Sequence, residues 1–408
     1  MKYSDDFSTK TSADKEIGKS GKPEGTKKKG RHKAENMAVP DHSGTGKTIA
    51  LNIGRGFLFL FTFIIILLIT VFLMMKIICG ISVPARNTFI TTVLETGQLK
   101  FVAGLCLPED EIAEIVAQNS LVKLDETDIN ESLINIAVID ENPIGESADL
   151  IGAAEAEQPD VEIIDIAGLT YKATLMIVKD PSRLSLATIY QGNGSWPEKG
   201  ITLEQFVEQN GAIGGINGGL YASDNNSGGY PYGVVVSNGE IVRNLPSEWP
   251  GMVLVGLTNN NILQIIDING MTPEQCKEMI EERGIRDAVC FQEETSVDNN
   301  HFVQLIINGT VREISGSGSG LNPRTAIGQR ADGSLLLLVT DGRGFNGHAG
   351  ASAADLIDIM TRYGAVNAAN LDGGSSTCMY YDNQYLQSCV TFYYSQSSWR
   401  MPFAFLLK

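Results

Sequence analysis

Hydrophobic positions fall into three regimes along this chain. Up to residue 56 they are sparse among Lys, Ser, Gly and Thr, too few to offset chain entropy, so this stretch is expected to be a disordered, basic tail. Residues 57–75 form an uncharged run, FLFLFTFIIILLITVFLMM, which at about 1.5 Å per helical residue nearly spans a hydrocarbon core of about 30 Å. The run predicts one transmembrane helix over residues 57–79. Beyond residue 161 short apolar runs at 173–178, 233–236, 252–256, 302–307, 335–339 and 365–369 read as strands.

Capping signals mark helices between these runs. Thr202 with Gln205 opens one that Gly211 closes. Thr272, with Pro273 at the first helical position and Gln275 three residues on, opens a second that Gly284 closes, and Ser352 with Asp355 opens a third ending at Gly364. Strands outnumber helices and do not alternate regularly with them, which disfavours a doubly wound nucleotide fold. The expected class is α+β: a mixed β-sheet catalytic domain over 161–408 with a few flanking helices, preceded by the transmembrane helix. Residues 80–160, with a short helix near 108–118 and then acidic, Ala-rich sequence, are expected to be a membrane-proximal stalk or small helical element.

Charge orients this layout. Lys27, Lys28, Lys29, Arg31, Lys33, Lys47 and Arg55 precede the apolar run, whereas only Lys76 and Arg86 follow it closely. The positive-inside rule then puts the N-terminus in the cytoplasm and the large domain outside the cell membrane, with the helix as an uncleaved signal anchor. The net charge of −17 is concentrated after the anchor, so nucleic acid is not an expected partner. Of six cysteines, Cys79 falls at the membrane edge; spacing permits Cys276 with Cys290 and Cys378 with Cys389, leaving Cys106 unpaired. Ser43-Gly44-Thr45-Gly46-Lys47-Thr48 imitates the end of a phosphate-binding loop, but Asp41 stands where the first glycine is required.

Candidate chemistry lies in Gly-rich, polar-tipped segments. The strand at 365–369 delivers Asp372 to a turn in which Gly373 and Gly374 tolerate unusual backbone angles and Ser375, Ser376 and Thr377 offer donors to an anion. Asp372 is thereby placed for acid, base or nucleophilic work. Asp341 ends the run at 335–339 and can pair with Asp372 as the two carboxylates of glycosidic cleavage, or simply pair locally with Arg343. Arg324, stiffened by Pro323, and Arg343 suit a phosphate or carboxylate, although Arg324 equally suits a structural ion pair. Asn217 between glycines, with Gly218 and Tyr221, offers a wall for sugar hydroxyls and a stacking ring. His348, before the helix opened by Ser352, is a proton donor, a phosphate contact or an exposed turn residue.

The run at 315–320, alternating Ser and Gly, reads as a lid or a solvated linker. Asp180 reads as a turn former. Asp224, Asn225 and Asn226 could furnish oxygens to a divalent cation, the only cofactor the sequence suggests, or form a polar loop.

Taken in order, Val178-Lys179-Asp180-Pro181-Ser182-Arg183, Gly215-Ile216-Asn217-Gly218-Gly219, Pro323-Arg324-Thr325-Ala326-Ile327-Gly328, Thr340-Asp341-Gly342-Arg343 and Asn370-Leu371-Asp372-Gly373-Gly374-Ser375-Ser376-Thr377 resemble the phosphodiester glycosidase family. The resemblance runs over roughly residues 165–408, and departs from the family at Leu220, where an aromatic is common. It implies hydrolysis of a sugar joined through its anomeric carbon to a phosphodiester, with Arg324 and Arg343 on the phosphate and Asp372 as nucleophile or base. The expected partner is then a carbohydrate or glycosyl phosphate, as in an envelope polymer. A non-catalytic surface module that binds anionic glycans is the alternative class.

Overall fold

The computed structural model describes residues 43–96, 99–122, 124, 128–136, 160–295, 300–390 and 396–408. The basic run at 27–33 and the acidic, Ala-rich stretch through Glu157 lie outside them. The chain divides into two units, Met1–Leu68 and Ile69–Lys408. The division falls inside one long helix, Ser43–Ile81, whose segment Leu51–Gly80 is apolar and long enough to cross a membrane. This helix begins ahead of residue 57, so residues 43–56, expected to be disordered, are helical. Alanine, leucine and isoleucine before the apolar run continue its helical preference.

Three large antiparallel sheets and two two-stranded ones, among the described residues, build the second unit. The seven-stranded sheet runs, edge to edge, Val161–Ala167, Lys172–Val178, Leu335–Thr340, Thr325–Arg330, Ala365–Asn370, Gln304–Ile307 and Thr310–Val311. A five-stranded sheet has the order Leu263–Asp267, Met252–Thr258, Ile285–Gln292, Val234–Ser237, Glu240–Asn244. The third sheet has the order Gln384–Gln387, Met379–Tyr381, Gly214–Asn217, Phe403–Leu407, Leu184–Thr188. With the helices on their outer faces, these sheets give the α+β class read from the sequence.

The unbroken run at 335–339 is explained by burial on both sides. Leu335, Leu337 and Val339 face the core shared by the three sheets, while Leu336 and Leu338 face Leu356, Ile359 and Met360 of helix Ala353–Arg362. Likewise Val253, Val255 and Leu257 point to the shared core, and Met252 and Leu254 to Cys276 and Ile280 of helix Pro273–Glu282. Strands covered on both faces lose the polar alternation of half-exposed ones, and each large side chain so buried contributes about 1.5–3 kcal/mol.

All three predicted helix starts form, each with a capping box, at Thr202 with Gln205, Thr272 with Gln275 and Ser352 with Asp355. Residues after the long helix carry Val83–Leu94, Phe101–Cys106 and Glu109–Gln118, which bury Ile90, Val93, Leu94, Cys106, Ile112 and Ile115 among themselves. This cluster lies against the sheets rather than standing clear of them. Leu321 N donates to Thr92 Oγ1 at 3.1 Å, and Leu121 bridges to Ile314.

All six cysteines are buried free thiols. Cys106, expected to stand alone, shares a thiol hydrogen bond with Cys79.

Candidate active site

Three strands of the seven-stranded sheet bring polar ends to one edge. Thr325–Arg330 is antiparallel to both neighbours, with Thr325 opposite Val339 and Ala326 opposite Asn370. Its start therefore meets the ends of Leu335–Thr340 and Ala365–Asn370, so Arg324, Asp341 and Asp372 all leave the sheet on the same side. Main-chain bonds tie the exits together: Leu371 N to Thr325 O at 2.8 Å, Gly374 N to Pro323 O at 2.7 Å, and Thr340 N to Arg324 O at 2.9 Å.

Asn217 joins the third sheet to this edge. Its Nδ2 donates to Asp372 O at 2.7 Å, while its Oδ1 accepts from Thr325 Oγ1 at 2.8 Å and Cys378 N at 3.1 Å. The side chain expected to meet a sugar is thus 1% exposed and engaged by protein. Its neighbouring glycines behave alike. Gly218 O accepts from Asp372 N at 3.2 Å, and a Cβ at Gly219 would sit 2.1 Å from Cys290 O. These glycines admit a packed backbone, which a side chain would exclude.

Asp372 is the centre of the site. The residue keeps some solvent access, yet its carboxyl is densely surrounded, and desolvation raises its pKa from 3.8 to about 7. Hydrogen bonds from Ser376 and Gly373 N, and the charge of Arg343, oppose that rise without cancelling it. Tyr221 and Ser376 share a hydroxyl hydrogen bond of 3.1 Å, so Tyr221, Ser376 and Asp372 form a chain. Burial first, and then Asp372, hold the Tyr221 phenol well above its usual pKa, which keeps it neutral. Its ring is buried edge-on to Phe403 rather than offered for stacking.

Arg343 reaches across from the loop after Leu335–Thr340. Its Nη1 donates to Ser375 Oγ at 2.6 Å and its Nε to Asn322 Oδ1 at 3.0 Å. The residue is exposed, but its guanidinium end is crowded by protein. Desolvation and then Arg324 lower its pKa, whereas Asp372 and Glu95 support its charge. Gly374 has φ 61°, and a Cβ there would lie 2.5 Å from Arg343 Nη2, so the Gly-Gly turn makes room for this cation.

Arg324 is buried, with Nε donating to Ala351 O at 3.2 Å and Nη2 to Ser319 Oγ at 3.1 Å and Gly320 O at 2.8 Å. The same Nη2 is paired with the carboxylate of Glu95, and the guanidinium lies 4.9 Å from the Phe302 ring centroid. The run at 315–320, read as a lid or linker, is instead part of the Arg324 seat. Ser319 is buried, and Ser317 O accepts from Ala354 N at 3.2 Å.

Asp341 is occupied otherwise than expected. Its Oδ1 accepts from Lys172 N at 2.7 Å and its Oδ2 lies 2.6 Å from His348 Nδ1, so it orients that ring. Both oxygens are thus engaged away from Asp372. Asp180 caps a short turn by accepting from Ser182 N at 2.9 Å. Asn226, one of the suggested cation ligands, accepts from Arg400 N at 2.7 Å, and no group of three His, Cys, Asp or Glu gathers around a metal-sized space among the described residues.

Two groups near Arg324 escaped the sequence reading. Glu95 lies at the C-terminal end of helix Val83–Leu94, where nothing local marks it. His301 has Nδ1 2.9 Å from Gln292 Oε1, and desolvation, then Arg324 and Lys100, lower its pKa to about 4. It is a neutral imidazole at pH 7. Its only sequence cue is a lone histidine before a strand.

Parts of this chain are similar to known proteins. A stretch of 67 residues is 37% identical to an uncharacterized SPbeta prophage-derived protein, YomE, of Bacillus subtilis, covering 16% of this chain and 10% of that one. The chain thus spans about a tenth of the length of that curated relative. Among solved structures, the catalytic domain of zebrafish N-acetylglucosamine-1-phosphodiester alpha-N-acetylglucosaminidase, auto-inhibited by its pro-peptide, aligns with a TM-score of 0.43 and 19% identity over 62% of this chain and 85% of that one. A putative exported protein of Burkholderia pseudomallei aligns with a TM-score of 0.36 and 15% identity over 58% and 74%. The family model for phosphodiester glycosidase matches residues 210–408, the span that carries Asn217, Arg324, Arg343 and Asp372. Over those residues, the chain is similar to the phosphodiester glycosidase family.

Proposed function

We propose that this chain is a membrane-anchored hydrolase that cleaves a sugar-1-phosphodiester bond in a glycan or envelope polymer. In this reading the long apolar helix is an uncleaved anchor, the N-terminus is cytoplasmic, and the domain works outside the cell. The observation that carries it is the Asp372 carboxyl, held near neutrality by burial beside the Arg343 guanidinium, within a family domain of glycosidases.

Ionised Asp372 acts at the anomeric carbon, either directly or by taking a proton from water. The bond from that carbon to the phosphate oxygen breaks, its electrons pass to the phosphate, and a phosphomonoester leaves. Arg343, with Arg324 behind it, stabilises that growing charge, which reduces the need for a strong acid. His348, oriented by Asp341, is available at the rim of this edge to return a proton. Where Asp372 attacks directly, water then hydrolyses the glycosyl ester and regenerates the carboxylate.

The test is turnover of a panel of sugar-1-phosphodiesters, including an α-GlcNAc-1-phosphodiester, by the full chain in detergent, with and without chelator. Release of free sugar that Asp372→Asn abolishes supports the reading. A wild type that binds the panel without releasing sugar is instead a glycan-binding module, and the hydrolase reading fails.

A further inference from the structure

Glu95 belongs to none of the elements matched by the family model, yet it reaches the site. It caps the C-terminal end of helix Val83–Leu94, and its carboxylate accepts from Gly320 N at 2.6 Å while pairing with Arg324 Nη2. The two paired side chains are 3% and 7% exposed. The approach is built in, because a Cβ at Gly320 would fall 2.5 Å from the backbone of Thr91, so glycine lets the last helical turn rest on the loop. Leu321 N fixes the same turn through Thr92 Oγ1.

The pair is one-sided. Arg324 spends Nε and Nη2 on Ala351, Ser319, Gly320 and Glu95, while Nη1 has no partner among the described residues. A carboxylate imitating a bound phosphate would take both ends of the guanidinium fork. Glu95 takes one and leaves the other. Arg324 and Arg343 are also close enough to repel, and Glu95 and Asp372 are the anions that offset this. Asp372, its pKa raised to about 7, is only half ionised at pH 7, so Glu95 paired with Arg324 is the second countercharge.

We propose that Glu95 is a positioning residue of the phosphodiester site: it fixes the Arg324 plane with Nη1 outward and cancels one of two adjacent positive charges. Two arginines and Glu95 together carry one net positive charge, matched to a monoanionic diester rather than to the dianionic monoester that must depart. The membrane-proximal helix is then part of the working site. This inference rests on the phosphodiester glycosidase reading above.

The experiment compares wild type, Glu95→Gln and Glu95→Asp as full chains in detergent, by turnover of the α-GlcNAc-1-phosphodiester and by calorimetric titration with inorganic phosphate. Glu95→Gln is expected to lower kcat by about tenfold or more with KM unchanged or lower, and to tighten phosphate by about tenfold, because two uncompensated guanidiniums favour the dianion. Glu95→Asp, retaining charge with a shorter reach, is expected to restore phosphate affinity toward wild type and part of kcat. Should Glu95→Gln not fold, Glu95→Asp carries the comparison with a smaller fall in kcat.

Unchanged kcat and phosphate affinity in a folded variant would reduce the pair to a structural bridge and overturn the proposal. A rise in kcat would overturn it too, since Glu95 would then be competing for the phosphate seat. If wild type turns over no phosphodiester, the hydrolase reading falls alone, and the phosphate titrations still decide for or against Glu95.

Discussion

Asn217 donates its side-chain amide to the main-chain carbonyl of Asp372 at 2.7 Å, across 155 positions of sequence. One residue of the third sheet thereby sets the height of the loop that presents the buried carboxyl. The Asn217 carbonyl completes the link by accepting from Thr325 and Cys378. A polar residue expected at the ligand proves to hold the site's walls together.

Replacing Asn217 with Ala should therefore act on stability and on catalysis at once. Three buried partners lose their bonds, a cost of about 2–4 kcal/mol. Chemical denaturation should show that loss, and turnover per folded molecule should fall by about tenfold or more as Asp372 loses its register. Normal turnover in the folded fraction would show that Asn217 serves the fold alone.

The Asp372 carboxyl sets a pH signature. As nucleophile or base it must be ionised, so kcat/KM should fall as pH drops through about 7 and level off above it. Because the folded pKa is raised from 3.8, the native state holds the proton more tightly, and stability declines as pH rises between those values. Asp372→Asn removes that penalty. Its unfolding free energy should exceed that of wild type at pH 8 by about 1–3 kcal/mol after discounting for partial solvent access, and approach it near pH 4. Turnover by this variant should be lower by about 10² or more.

Arg343→Ala removes a charge that lowers the Asp372 pKa, so the acidic limb of the pH–rate profile should move to higher pH. It should also raise KM for a phosphodiester, since Ser375 alone remains at that corner. Arg343→Lys restores charge without the planar fork and should rescue the pH limb more fully than the affinity.

Gly374→Ala tests the room made for Arg343. Its left-handed backbone costs about 1 kcal/mol for an L side chain, and the new methyl would displace the Nη2 end. Calorimetry should show that modest cost, while the rise in KM should approach that of Arg343→Ala. A variant with unchanged KM would show that Arg343 does not depend on this turn.

Much of the fold is encoded in short-range signals. Capping boxes at Thr202, Thr272 and Ser352 involve residues three apart, and the doubly buried run at 335–339 declares itself by the absence of polar alternation. The glycines around Asn217 suggest a wall open to sugar hydroxyls. In the fold they let Tyr380 and Phe405 backbones pack closely, as a Cβ on Gly214 or Gly215 would fall 2.7 Å or 2.4 Å from those carbonyls.

The sequence by itself determined the class of domain, the apolar helix and the family motifs that carry Asp372 and the two arginines, because these depend on composition, short-range periodicity and local turns. Only the tertiary structure decided which polar groups face one another. It engaged Asp341 with Lys172 and His348, sealed Asn217 inside the walls, and brought Glu95 to Arg324 across 229 positions. Such pairings follow from how buried charges and hydrogen bonds are satisfied once sheets and helices have packed, and no local pattern encodes a partner that distant.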